Sequence, residues 1–102
     1  MLKVNLQGRM DIAGSDAISV PLAALAATDN RRVILDLSGV DFIASIGVRA
    51  IFQNARAHHL RGGLLVLLAP RPLVQEVLAA AGVDNVVPIV PDLTAARAAL
   101  AP

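Results

Sequence analysis

Hydrophobic positions along the chain switch between a two-residue and a helical period, and the switches mark the elements. Leu2, Val4 and Leu6 alternate with Lys3 and Asn5, a half-solvated strand that Gly8 is expected to end before a loop through Arg9-Met10-Asp11, Gly14 and Ser15. Ala17 to Thr28 is rich in Ala and Leu, with Leu22, Leu25 and Ala26 on one helical face; Pro21 either opens this helix or kinks it. Val33 to Leu37 is an apolar run bounded by Arg32 and Ser38-Gly39, as a short buried strand requires, and Val40 to Ala44 reads as a loop carrying apolar residues. A helical pattern from Ile46 to Leu60 sets Ile51, Phe52 and Ala55 against Arg49, Gln53 and Arg56, with Ser45 at the expected N-cap. Gly62-Gly63 stops that helix. Leu64 to Ala69 is a second buried strand, and Pro70-Arg71-Pro72 opens a helix through Ala81 that Gly82 ends. Val86 to Val90 is a short strand that Pro88 confines to an edge or a strand end, and Asp92 is expected to cap a last helix, Leu93 to Leu100.

The order β-α-β-α-β-α-β-α implies parallel strands joined by right-handed crossovers, hence an α/β fold with helices packed on the sheet. A chain of 102 residues is one domain, without linker, repeat or low-complexity segment. Its residues are 56% hydrophobic but only 2% aromatic, so the core is aliphatic, as in buried parallel sheets. A net charge of +1, with Lys3 the sole lysine and Arg31-Arg32 the sole basic pair, argues against nucleic-acid binding. The absence of cysteine removes disulfides, thiolate nucleophiles and cysteine zinc sites. The longest apolar run, Leu64 to Ala69, falls far short of the roughly 20 residues of a membrane helix. The first residues lack the apolar stretch of a signal peptide, so no membrane insertion and a cytoplasmic location are expected.

The stretch from Val33 to Val48, V-I-L-D-L-S-G-V-D-F-I-A-S-I-G-V, resembles the signature of STAS domains, the sulfate transporter and anti-sigma-factor antagonist family. There a buried strand ending in D-L-S/E leads into V-x-F/Y-M/I-D-S-S/T/A-G-L, whose serine begins the next helix. Ser45 matches that serine, Gly47 the glycine, and Asp36-Leu37-Ser38 the strand end. Gly8-Arg9-Met10-Asp11, Leu64 to Leu67 and Leu78 to Val83 resemble the family's early turn, following strand and late helix. The resemblance implies a single STAS domain over 1–102, with a mostly parallel sheet of four to five strands and about four helices. It also implies an anti-sigma-factor antagonist, not an enzyme, that binds an anti-sigma serine kinase when unmodified and releases it when phosphorylated on Ser45. The kinase would bring the ATP, a serine phosphatase would reset the switch, and the protein would need no cofactor or metal. The partner face would comprise Asp11, Phe42, Ala44, Ser45, Ile46, Gly47 and Arg49. Three residues depart from the pattern: Ala44 replaces an aspartate, Ile46 a small residue, and Arg49 a frequent glycine. The family's first strand, antiparallel to the second, has no counterpart before Leu2.

A hydroxyl at a helix start can cap the helix, worth about 1 kcal/mol, or receive a phosphoryl group that the N-terminal N–H groups and helix dipole accommodate. Arg49, four residues after Ser45, is placed to pair with such a phosphate, or is an ordinary solvated arginine. Ile46 either offers a partner an exposed apolar contact or, the slightly favoured alternative, tucks into the core at the helix start, and Asp11 either lies near Ser45 or bonds its own backbone. His58-His59 are adjacent on a helix and face different ways, so they make a poor metal pair. Three other readings compete. A receiver domain using Asp36 or Asp41 lacks the acidic cluster and the placed lysine. An enzyme would need a base near its nucleophile, and the chain offers Ser45 only distant histidines. A STAS adaptor that is never phosphorylated, in a signalling or lipid-transport ABC complex, is the alternative that Ala44 and Ile46 favour.

Overall fold

The computed structural model describes residues 2–10 and 32–100; the helix expected over 17–28 and Asp11 lie outside them. Four strands, β1 (Leu2–Met10), β2 (Arg32–Ile43), β3 (Leu64–Leu68) and β4 (Ile89–Val90), form one sheet in the order β1-β2-β3-β4. All adjacent pairs are parallel. The described residues add three α-helices, α1 (Ser45–Leu60), α2 (Pro72–Ala80) and α3 (Leu93–Leu100), and a 3-10 turn at Val83–Asn85.

The apolar runs are continuous because β2 and β3 are buried on both faces. Val33, Leu35 and Leu37 of β2 with Leu65 and Leu67 of β3 pack against Val48, Ile51 and Ala55 of α1 and Val74 and Leu78 of α2. Ile34, Val66 and Leu68 point to the opposite face, where Ala96 and Leu100 of α3 cover them. The helix stripe expected of α1 is observed: Ile51 and Ala55 are buried, Phe52 is half-buried, and Arg49, Gln53 and Arg56 are exposed. Pro72 occupies the first turn of α2, and Asp92 Oδ1 accepts a 2.8 Å hydrogen bond from the Ala95 N–H at the start of α3.

Both long strands outrun their expected ends. Gly8 does not stop β1, and Val40 to Ile43 are strand rather than loop. The pairing passes Asn5 to Gln7 against Asp36 to Gly39, and Gly8 to Arg9 against Val40 to Phe42, so β2 carries one extra residue at each place. Such bulges absorb the breaks at Ser38-Gly39 and Asp41 without ending the ladder, and they re-aim the side chains beyond them. Gly8 sits there at φ +85°, left-handed backbone that favours glycine, and a Cβ on Gly39 would stand 2.9 Å from Gln7 Cγ and 3.1 Å from the Leu6 carbonyl oxygen. The fourth strand is shorter than expected, beginning only after Pro88.

Asp36 ties β1 to β2 on the exposed side. Its Oδ1 accepts hydrogen bonds from the Ser38 N–H at 2.9 Å and the Ser38 hydroxyl at 2.7 Å, and Lys3 Nζ lies 3.4 Å from Oδ2. Burial works to raise the Asp36 pKa, but the Ser38 bonds and Lys3 outweigh it, leaving it below the ordinary aspartate value. A carboxylate with a depressed folded pKa adds stability above its unfolded pKa and loses it as pH falls through the folded one. Asp36→Asn is therefore expected to be less stable than the parent at neutral pH. In urea melts the difference should narrow as pH drops to about 3; a difference independent of pH would contradict this reading.

Candidate functional site

The C-terminal ends of β1 and β2 and the first turn of α1 converge at one end of the sheet. The register sets Arg9 opposite Phe42 and Met10 opposite Ile43, and the chain passes through Ala44 directly into α1. The Arg9 guanidinium carbon lies 4.5 Å from the Phe42 ring centroid, within cation–π range. Phe42 remains 37% exposed beneath it, a large fraction for an aromatic side chain in a protein with two of them.

Ser45 is the first residue of α1, not its N-cap. Ala44 takes the cap position with extended backbone (φ −100°, ψ 172°), its carbonyl accepting from the Val48 N–H at 3.1 Å, and no described side chain caps the helix. The expected capping bond from Ser45 is therefore absent, because its backbone is already helical and a cap side chain must precede the first turn. No acidic residue stands in the first turn. Among the described residues the exposed Ser45 hydroxyl thus accompanies first-turn N–H groups with neither a side-chain acceptor nor a counter-charge.

Ile46 does not tuck into the core. It is 40% exposed, while the helix turns Gly47 and Val48 inward instead. Phe42 and Ile46 therefore flank Ser45 in sequence as exposed apolar side chains, with Ile43 between them buried and Ala44 half-buried. Arg49 is exposed one turn beyond Ser45 and has no ion pair among the described residues.

A contact distant in sequence braces the neighbouring bulge. From the residue before α2, Arg71 donates through Nε to the Ser38 carbonyl at 2.9 Å and through Nη1 to Asp41 Oδ1 at 2.6 Å. Both partners are well exposed, so the ion pair itself contributes at most about 1 kcal/mol. Its effect is geometric, holding the β2 segment that leads to Phe42 and Ser45. Nothing local in the sequence marks Arg71 for this role, since 30 residues separate it from Asp41.

The histidines sit at the other end of α1. His58 is buried, its Nε2 without a hydrogen-bond partner among the described residues, whereas His59 is exposed. Neither stands where it could serve Ser45 as a base. No described group of three or more His, Cys, Asp or Glu residues is arranged to hold a metal ion, and no described helix is long and apolar enough to cross a membrane.

The STAS domain model matches residues 1–96. The chain belongs to the STAS family. A Bordetella bronchiseptica relative, BtrV, named as a candidate anti-sigma factor antagonist, is 35% identical over 99 residues, covering 97% of this chain and 85% of the relative. Among solved structures, an anti-sigma factor antagonist from Mycobacterium paratuberculosis superposes with a TM-score of 0.87 at 23% identity, over 97% of this chain and 85% of that one. The anti-sigma factor antagonist SpoIIAA in its unphosphorylated form superposes with a TM-score of 0.77 at 20% identity, over 95% and 85% of the two chains. At such identities the superpositions establish the STAS fold, an α/β sheet with helices on both faces, as the resemblance implied.

Proposed function

We propose that this STAS protein is an anti-sigma-factor antagonist that works by partner switching, with Ser45 as the switch. The observation that carries the reading is the uncapped N-terminus of α1, which presents the exposed Ser45 hydroxyl beside the exposed Phe42 and Ile46. The BtrV and SpoIIAA relatives, both named for anti-sigma antagonism, support the same assignment. The partner is an anti-sigma factor with serine-kinase activity that brings its own ATP, and a serine phosphatase restores the unmodified form.

In the unmodified state the partner covers Phe42, Ala44, Ser45, Ile46 and the rim around Arg49, whereas Gly47, expected in the same face, is buried within the helix start and out of a partner's reach. A phosphoryl group on Ser45 adds a charge of about −1.5 to −2. The first-turn N–H groups and the helix dipole hold that charge without unfolding the domain. Arg49, one turn on, supplies a guanidinium on the same side. The partner, by contrast, would have to desolvate a dianion where it had met a neutral hydroxyl.

Ile46→Glu tests the face without touching Ser45. Its side chain is already exposed, so the fold should persist, and a carboxylate in the first turn favours the helix. Calorimetric titration with the anti-sigma kinase should show affinity reduced by about tenfold or more, the usual consequence of placing a charge in an apolar contact. Undiminished affinity would remove Ile46 from the interface.

A further inference from the structure

A second feature lies along the C-terminal half of α1, starting about two turns beyond Ser45. Between the C-terminal half of α1, the start of β3 and the segment before β4 is a cavity of about 470 Å³. Its apolar walls include Phe52, Ala55, Leu64, Leu65, Val87 and Pro88. Arg56 and His59, three residues apart and so on one helical face, stand at its side. No carboxylate is among its lining residues, and neither Arg56 nor His59 has an acidic partner among the described residues.

The gap has a backbone cause. In the β3–β4 ladder the Leu67 N–H donates to the Pro88 carbonyl at 2.9 Å and the Ala69 N–H to the Val90 carbonyl at 2.8 Å. Continuing that register backwards, the donor facing the Leu65 carbonyl would be residue 88, a proline with no N–H. Ladder pairing therefore stops at the Pro88 carbonyl: Val87 still packs into the core, but the Val86 and Val87 N–H groups turn back to the Val83 carbonyl instead of extending the ladder along β3. Leu64, 44% exposed, and Val86, 64% exposed, are left at the mouth.

We infer that this cavity binds a free single-chain amphiphile with a carboxylate head, its chain between α1 and β3 and its head against Arg56 and His59. The volume falls in the range of about 300–1,000 Å³ typical of small-molecule sites, and the mostly apolar wall with a few polar groups has their composition. The uncompensated guanidinium and the imidazole N–H select an anionic head. A second copy of the chain is a poor occupant, because a two-fold contact of this patch on itself sets cation against cation. The site is separate from the Ser45 face and stands or falls without it.

The test is calorimetric titration of the full chain with dodecanoate below its micelle concentration, beside methyl dodecanoate. Saturable one-to-one binding is expected for the acid, at least tenfold weaker for the ester and for Arg56→Glu, and unchanged for Ser45→Asp. Arg56 is exposed, and thermal melts verify that the variant is folded. Absence of saturable binding, or equal affinity for acid and ester or for parent and Arg56→Glu, would overturn the inference. So would attachment to anionic lipid vesicles that dodecanoate fails to compete, since the ligand would then be a membrane surface.

Discussion

Ser45→Asp is expected to cost the protein its anti-sigma partner while leaving the domain as stable as before or slightly more so. The two effects have opposite signs because they act on different surroundings. Within the domain, a carboxylate enters a first turn that has no side-chain cap and no acidic residue, where a negative charge is worth about 0.3–1 kcal/mol. At the proposed interface the same carboxylate would have to give up water between Phe42 and Ile46, the two exposed apolar side chains proposed to meet the partner. An unpaired charge buried there costs several kcal/mol, so affinity should fall by about 100-fold or more. Ser45→Ala, which removes the hydroxyl but adds no charge, should keep the partner. Measuring binding by calorimetry and stability by urea melts on the same samples separates a switch from a damaged fold. A partner that binds Ser45→Asp as tightly as the parent would indicate the never-phosphorylated adaptor instead.

The second large effect belongs to the core. Leu35→Ala is expected to destabilise the protein by about 3–4 kcal/mol, within the usual 2–5 kcal/mol for emptying a closed leucine site. Leu35 is fully buried at the centre of β2, its neighbours in the ladder are Val4 and Leu67, and it lies in the cluster that joins the sheet to α1 and α2. With packing on all sides, the walls have little room to collapse into the void. For a domain of this size the thermal midpoint should drop by about 15–25 °C. Leu60, 74% exposed, provides the contrast: Leu60→Ala should change stability by no more than about 0.5 kcal/mol. Similar losses at both positions would show that the core is not where the burial pattern locates it.

The elements that were legible in sequence are those with local causes. The helical period of α1, its stop at Gly62-Gly63, the proline at the start of α2 and the Asp92 cap of α3 depend on neighbouring residues alone, and the structure has each of them. The strand ends were not legible. Ser38-Gly39 and Asp41 have the composition of breakers, yet pairing with β1 carries β2 past them through two bulges. Bulges depend on the partner strand, which no local pattern reports. The helix start was displaced by one residue for a related reason: serine is a favoured cap, but the chain leaving β2 adopts extended backbone at Ala44 and helical backbone at Ser45.

At the candidate site, Ser45 and Gly47 could be picked out because they fall in a family motif at a strand-to-helix junction. An isoleucine at a helix start suits either the core or a partner surface; the first turn of α1 points its neighbours Gly47 and Val48 inward and leaves Ile46 outside. The stacking of Arg9 on Phe42 and the Arg71 brace unite residues 33 and 30 positions apart, and only the topology joins them. The cavity beside Arg56 likewise needed the β3–β4 register, since Pro88 alone announces a strand end without saying what opens beside it.

The most direct test of the switch is the intact mass of the protein isolated from its native cells, followed by peptide mapping. The account predicts a population heavier by one phosphoryl group, with the modification on Ser45 and absent from Ser45→Ala. A protein that stays unmodified under every growth condition while still bound to its partner would contradict it.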